Sequence, residues 1–286
     1  SGASAGITDS GTVTVGGNLV ATTDANNGVI ALGQLAVTGT MDLTSHGSGN
    51  VTIDNGTLDI VLIASGVGGN LTLTSGASAG ITDTGTVTVA GNLVVTTDAN
   101  NGVIDLGTTT VTGTMDLTSH GSGDVTIDNA TTDIVLIASE IGGNLTLTTG
   151  NASGIIDSGT VTVGGNLVAT TDDNSGVITL DNLEVDGTIA LTTNGTGDAT
   201  VVNDNGLNFA ASTVGGAFSA TATTGNITDT GALAITGTTT LLTSANDATI
   251  TLDTSTNAFT GAVTITTNDD SGADAHVTID GGTTKL

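Results

Sequence analysis

Aspartate and asparagine cluster in short polar segments that could offer oxygen ligands to a hard cation. Ca²⁺ in proteins takes six to eight oxygen ligands, many of them carboxylates. The glycine-rich nonapeptide of calcium-binding β-helices does not occur in the sequence. We therefore assign no metal ligand and expect no cofactor, with calcium as the one alternative, for which the candidate residues are Asp24, Asp98, Asp172, Asp173, Asp269 and Asp270.

Catalytic chemistry is not supported by the residue types present. Apart from three histidines the chain has one basic residue, Lys285, and it has no arginine, cysteine or tyrosine, so no clamp of fixed positive charge is present to stabilise a developing anion. His46 and His120 stand in identical Ser-His-Gly-Ser-Gly segments, and no Ser/His/Asp arrangement accompanies either one. If the two lie three rungs apart, they are about 14 Å apart and cannot share a metal ion. We expect solvated histidines and no enzymatic activity.

Charge and hydropathy exclude several other classes. The formal net charge of −27 opposes binding to nucleic acid or to anionic membranes, which requires lysine and arginine. The longest aliphatic runs, Ile60 to Ala64 and Ile134 to Ala138, are too short to cross a bilayer. The three phenylalanines are the whole aromatic content, so sugar binding by aromatic stacking is not expected.

The elements that carry these residues belong to a short repeat. An apolar residue is followed after two positions by a glycine, and then by an alternating apolar strand that ends in threonine. The repeats are mostly 22 residues apart, with a 30-residue step at every third interval, which is typical of a stacked solenoid. We expect each glycine to adopt a backbone conformation that a side chain would forbid. The glycines are Gly17, Gly39, Gly69, Gly91, Gly113, Gly143, Gly165, Gly187, Gly216, Gly237 and Gly261.

Period-two alternation predicts parallel β-structure, with one face of each strand buried. The fold class is all-β: a right-handed parallel β-helix of about 11 rungs of ~22 residues, with a three-rung super-repeat of 74 residues. Residues 1–286 are expected to form one solenoid, regular to residue 200 and more divergent over 201–286. A threonine column is expected to align from rung to rung: Thr22, Thr44, Thr74, Thr96, Thr118, Thr148, Thr170 and Thr192.

The 30-residue step contains aliphatic residues at consecutive positions. Two interpretations remain open: a wider, better filled rung, or an outward ridge that docks a neighbouring chain. The residues concerned are Ile60, Val61, Leu62, Ile63, Ile134, Val135, Leu136 and Ile137.

The segments Val67–Thr74 and Val163–Thr171, which read VGGNLTLT and VGGNLVATT, resemble the repeats of bacterial filamentous-haemagglutinin-type adhesins. The resemblance covers nearly the whole chain. It implies a right-handed parallel β-helix, export from the cell, and a role in adhesion or matrix structure. The secretion signals and receptor-binding tips of that family are not seen in this sequence.

Together these observations predict a structural protein: a microbial extracellular filament subunit or adhesin stalk, located outside the cell or on its surface, including biofilm matrix. We expect copies to associate end to end, cell-surface or matrix components as further partners, and the chain to be a segment of a longer protein. The alternative is a binding module for a divalent cation or for ice. Ice binding requires two aligned threonines on every rung, and here only one position is regularly threonine.

Overall fold

The computed structural model describes residues 6–24, 26–78, 80–98, 100–150, 152, 154–172, 174–268 and 275–283. The fold is an all-β parallel solenoid of about 12 turns spaced ~22 residues apart, which confirms the predicted class. The described residues contain no helix. Two compact units divide the chain, residues 1–145 and 146–286. Right-handed winding and a single domain over the whole chain stay predictions.

Unit 1 consists of short strands joined by polar corners. Val, Ile, Leu and Thr alternate along most of the strands, so that every second side chain is buried, as in Leu71–Ser75. The strands are β1 (Ile7–Thr8), β2 (Val13–Val15), β3 (Leu19–Thr22), β4 (Ile30–Leu32), β5 (Leu35–Val37), β6 (Thr40–Ser45), β7 (Val51–Asp54), β8 (Ile60–Leu62), β9 (Ser65–Val67), β10 (Leu71–Ser75), β11 (Gly80–Asp83), β12 (Val87–Val89), β13 (Leu93–Thr97), β14 (Val103–Leu106), β15 (Thr109–Val111), β16 (Met115–Ser119), β17 (Val125–Asp128), β18 (Ile134–Leu136) and β19 (Ser139–Ile141).

The chain of unit 1 alternates between two large parallel sheets, and β2 and β5 pair in a separate two-stranded sheet. The first sheet contains β1, β4, β7, β10, β13, β16, β18 and β19, and the second contains β3, β6, β8, β9, β11, β12, β14, β15 and β17. In the first sheet Leu71 pairs with Leu93, and Leu93 pairs with Met115. In the second sheet Leu19 pairs with Met41, and Met41 pairs with Leu62. One rung is therefore one pass through each of the two large sheets, with two edges at which the chain turns.

Unit 2 repeats the same arrangement. Strand β20 (Leu145–Thr149) contains the division between the units, and the strands after it are β21 (Ile155–Asp157), β22 (Val161–Val163), β23 (Leu167–Thr171), β24 (Ile178–Val185), β25 (Ile189–Thr192), β26 (Ala199–Asn203), β27 (Leu207–Phe209), β28 (Ser212–Val214), β29 (Phe218–Ala222), β30 (Ile227–Asp229), β31 (Leu233–Ile235), β32 (Thr239–Asn246), β33 (Ile250–Leu252), β34 (Ala258–Phe259), β35 (Val263–Asn268) and β36 (Val277–Ile279). Its core includes Phe209 and Phe218, whose rings meet edge to face with centroids 5.3 Å apart.

The 74-residue super-repeat of unit 1 is not three rungs. Val37 bonds to Asn55 in the next rung of the first sheet, whereas Val67 pairs with Ser45 in the second sheet. The step from Val37 to Val67 therefore covers one and a half rungs, and the super-repeat covers three and a half. Each such step adds half a rung, which accounts for about 12 turns rather than the predicted 11.

Equivalent residues of successive super-repeats consequently lie in opposite sheets. Leu19 is in the second sheet of unit 1, whereas Leu93 is in the first. The same exchange occurs in unit 2, where Leu167 pairs with Ile189 and Leu241 pairs with Ala220 in the other sheet. The predicted separation of three rungs between His46 and His120 is therefore wrong, because recurrence in sequence does not report position around the solenoid axis.

The long step does not widen the rung. Its residues form three-residue strands with ordinary alternation, β8 and β18. The side chains of Ile60, Leu62, Ile134 and Leu136 are fully buried in the core, so the proposed docking ridge is wrong for these four. Val61, Ile63, Val135 and Ile137 are half-buried and point outward, and their role as an interface stays a prediction.

Candidate functional sites at the corners and on the outer faces

The repeated glycines stack on the backbone of the preceding rung. None of them has a positive φ, so the predicted reason for their presence is wrong. A Cβ atom would instead lie closer than 3.0 Å to atoms of the previous rung at Gly39, Gly69, Gly91, Gly113, Gly143, Gly187, Gly216, Gly237 and Gly261. Gly165 supplies the backbone met by Gly187, and Gly17 has open space beside it. Close approach between rungs excludes a side chain here.

Exposed asparagine and aspartate side chains connect the rungs at these corners. Asn70 Oδ1 accepts a hydrogen bond from the backbone N–H of Asn92 at 2.9 Å, and Asn92 Oδ1 accepts one from Thr114 at 3.0 Å. In unit 2, Asn166 accepts from Thr188 at 2.8 Å. Asp124 accepts from Asn144 at 2.7 Å in the same way, so either residue type serves. These exposed side chains thus form a series of side chain to backbone hydrogen bonds between successive rungs.

A second set of asparagines is buried, and sequence reasoning missed it. Asn55, Asn129 and Asn203 lie 74 residues apart and are fully buried. Asn129 accepts from Val111 N–H at 2.7 Å and donates to the carbonyl oxygens of Val111 at 3.0 Å and Asp133 at 2.7 Å. Asn55 and Asn203 make the corresponding bonds to Val37 and Val185. Each of these residues satisfies the backbone where a one-and-a-half-rung step begins.

Buried threonine hydroxyl groups form hydrogen bonds across several of the corners. Thr23, Thr97 and Thr171 are buried and donate to the carbonyl oxygens of Gly28, Gly102 and Gly176 at 2.9 to 3.0 Å.

The outward threonine column is interrupted. Its aligned members are Thr22 with Thr44, Thr74 with Thr96 and Thr118, and Thr170 with Thr192. Thr74 pairs on its other side with Asp54, because Thr44 lies in the opposite sheet. The expectation of one continuous column is therefore wrong.

This interruption bears on ice binding. Within the described residues, the strand-to-strand register places paired outward threonines side by side only over short stretches, such as Thr72 and Thr74, next to Val94 and Thr96. The described part of neither unit forms a flat, regular threonine array across many rungs. No observation on the outer faces favours an ice-binding surface.

The calcium candidates do not converge in the described structure. Asp24 and Asp98 are exposed, and each accepts a hydrogen bond from an asparagine two residues later, at 3.1 and 3.0 Å. Asp172 is also exposed. Asp173, Asp269 and Asp270 lie outside the described residues. Among the residues that are described, no three His, Asp or Glu side chains are placed to hold a metal ion together.

A different set of aspartates accepts hydrogen bonds from backbone N–H groups of the next rung. Asp83 accepts hydrogen bonds from the backbone N–H groups of Gly107 and Thr108, at 2.9 and 3.1 Å, and Asp157 accepts from Asp181 and Asn182 at 3.0 Å. Burial raises the pKa of Asp157 above its usual value, and the two backbone hydrogen bonds oppose that rise. These carboxylates hold one rung onto the next.

The outer face also holds a carboxylate between apolar neighbours. Asp116 pairs with Val94 in the strand of the preceding rung. In the following rung, the backbone N–H of Ile137 donates to the carbonyl oxygen of Met115, the residue before Asp116. Burial raises the pKa of the Asp116 carboxyl.

His46 and His120 make one hydrogen bond each. Nδ1 of His46 donates to the carbonyl oxygen of Thr23, and Nδ1 of His120 donates to that of Thr97. His46 follows β6 of the second sheet, whereas His120 follows β16 of the first, so they lie at opposite edges of unit 1.

Two shallow grooves mark the surface of unit 2. One of about 210 Å³ is lined by Asp181, Glu184 and Asp204, and one of about 430 Å³ by Asp186, Asn208 and Asn226. Glu184 accepts from Thr162, and Asp204 accepts from Thr223 at 2.8 Å.

No helix of the described structure is long and apolar enough to cross a membrane.

Comparison with known families agrees with this architecture. Residues 48–109, 122–194 and 196–266 match the family described as repeats of unknown function (DUF5649). These segments cover more than half of the chain, which therefore belongs to that family of repeats. Their starts at 48, 122 and 196 reproduce the 74-residue period. The match does not identify the filamentous-haemagglutinin-type adhesins. Searches of curated proteins and of solved structures found no match.

Proposed function

We propose that the chain is a structural segment of an exported microbial surface protein, in which the solenoid serves as a stalk or fibre. One observation carries the proposal: the polar side chains at the corners are used to bond one rung to the next. Asn70, Asn129 and Asp83 represent three sets that do this at different places on the rung. Side chains used in this way add stiffness and form no reaction centre.

The charge of the surface supports the same role. A net charge of −27 makes copies repel along their sides and keeps an extended surface protein soluble. The sequence resemblance to filamentous-haemagglutinin-type repeats points to export and to adhesion or matrix structure. Binding to cell-surface or matrix components, and end-to-end association of copies, stay predictions.

Single-molecule pulling tests the mechanical part of the proposal. The chain, held by tags at its two ends, should resist force and then lengthen in steps that are multiples of one rung. A rung of ~22 residues releases on the order of 70 Å when extended at about 3.3 Å per residue. Smooth lengthening without force peaks would contradict a load-bearing role.

Antibody labelling tests the cellular part separately. Antibodies raised against the purified chain should label intact cells of the source organism as strongly as permeabilised cells. Labelling that appears only after permeabilisation would refute export while leaving the mechanical result unaffected.

A further inference from the structure

Four equivalent corners make the same hydrogen bond with two different residue types. Positions 46, 120, 194 and 268 follow one another at 74-residue intervals and carry His, His, Asn and Asn. Each side chain donates to a backbone carbonyl oxygen of the preceding rung, and the acceptors are Thr23, Thr97, Thr171 and Ser244. Because asparagine makes this bond at two of the corners, the bond by itself does not require an imidazole ring.

The imidazole ring adds a nitrogen lone pair that asparagine lacks. A carbonyl oxygen only accepts hydrogen bonds, so Nδ1 carries the proton in His46 and His120, and Nε2 of the neutral ring carries the lone pair. Metal-binding histidines commonly donate one N–H to a backbone carbonyl, which orients the ring and leaves the other nitrogen for the metal. His46 is exposed and His120 partly exposed, and the described residues offer no hydrogen-bond partner to either Nε2.

Each histidine also shares its corner with a carboxylate. Asp24 directly follows Thr23, the acceptor for His46, and Asp98 directly follows Thr97, the acceptor for His120. Imidazole nitrogen with carboxylate oxygen suits zinc and the neighbouring divalent transition metals, which take four or more ligands. The described residues of one copy do not bring a third His, Asp or Glu side chain to either corner.

We propose that His46 and His120 bind divalent transition metal ions, with Zn²⁺ as the reference ion, and that such an ion links two copies of the chain. The two rings lie at opposite edges of unit 1, so one copy cannot supply both to the same ion. An ion held at one corner retains open coordination positions, and a histidine from a second copy fills one of them. Because both edges carry a histidine, successive ions can join many copies. This inference does not depend on export or on the stalk role.

Sedimentation velocity of the full chain tests the proposal. Zn²⁺ should raise the sedimentation coefficient progressively with protein concentration, and a chelator should reverse the change. Ca²⁺ at the same concentration should not produce a histidine-dependent change, because hard cations prefer oxygen ligands. His46→Asn or His120→Asn should limit association to pairs, since only one edge then carries a ring. The double variant should need at least ~10-fold more Zn²⁺ for half-maximal association.

Matched controls separate metal binding from folding. Asparagine already occupies positions 194 and 268, so the double variant should keep the wild-type circular dichroism spectrum. His276→Asn, which removes the third histidine, should associate like the wild type. Ring ¹⁵N resonances of His46 and His120 should show a protonated Nδ1 and should shift at Nε2 with Zn²⁺. Half-maximal association of the double variant at the same Zn²⁺ concentration as the wild type, absence of association in the wild type, or unshifted ring resonances would each overturn the proposal.

Discussion

Replacing Asn129 with aspartate should destabilise unit 1 strongly, although the two side chains have nearly the same shape. The variant keeps the acceptor for Val111 N–H but loses the Nδ2 donor, which bonds the carbonyl oxygens of Val111 and Asp133 at 3.0 and 2.7 Å. An unsatisfied buried carbonyl costs about 1–3 kcal/mol, and the Asp133 carbonyl is only partly buried. The expected loss of unfolding free energy is about 2–4 kcal/mol at pH 7, before any charge burial is counted.

The destabilisation should depend on pH with a defined sign. Burial beside two carbonyl oxygens raises the pKa of the introduced carboxyl in the folded state above its unfolded value of about 3.9. The folded variant therefore binds a proton more tightly than the unfolded chain does. Relative to the wild type, the variant should lose stability as the pH rises through this raised pKa, and recover part of it in acid.

Urea unfolding followed by far-ultraviolet circular dichroism, together with hydrogen exchange of the Val111 amide, measures the effect. Asn50→Asp is the matched control, since Asn50 is exposed and uses only its oxygen, which accepts from Asn70 N–H at 2.9 Å. Asp124 occupies the equivalent position one super-repeat later, so the control should change stability by less than about 0.5 kcal/mol. Equal losses in the two variants would refute the role assigned to the buried asparagine.

Three further predictions test other contacts. Thr239→Val should raise the free energy of unfolding by about 1–2 kcal/mol, because the hydroxyl of Thr239 is buried without a hydrogen-bond partner. Thr171→Val should lower it by about 1 kcal/mol, because the hydroxyl of Thr171 donates to a carbonyl oxygen. Urea unfolding midpoints measure both changes. Gly113→Ala should cost about 1–3 kcal/mol, and Gly66→Ala, with open space around it, should be nearly neutral in the same assay. Asp116 has a raised folded pKa, so its contribution to stability should fall as pH rises from about 4, and Asp116→Asn should remove that slope in a pH series of urea midpoints; an unchanged slope would contradict burial of the carboxyl.

Strand positions could be predicted from the sequence because burial alternates with period two. Leu71, Leu73 and Ser75 are buried in one strand, as the alternation of apolar residues indicates. The position of each strand around the solenoid axis could not be predicted in the same way. A 22-residue step and a 30-residue step both return to the same local motif, but one covers a full rung and the other a rung and a half.

The contacts at the corners depend on where each strand lies around the solenoid axis, which the sequence does not show. Nothing in the sequence around Asn129 predicts that it is buried, since asparagine is usually exposed, although its recurrence with Asn55 at 74 residues is a signal that could have found it. The glycines were recognised as essential to the repeat, but the reason lies in the rung beneath them, which the local sequence does not show. At Gly113, for example, the backbone of Gly91 leaves no room for a side chain.

The half-rung offset of the super-repeat can be tested with cysteine pairs, since the chain has no native cysteine. Thr74 and Thr96 pair in register in the first sheet, so cysteines at these positions lie within disulfide range. Thr44 lies in the second sheet, on the opposite face from Thr74. Mass spectrometry of dilute, oxidised protein should find an intramolecular disulfide in the 74/96 variant and none in the 44/74 variant. A disulfide between positions 44 and 74 would contradict the offset.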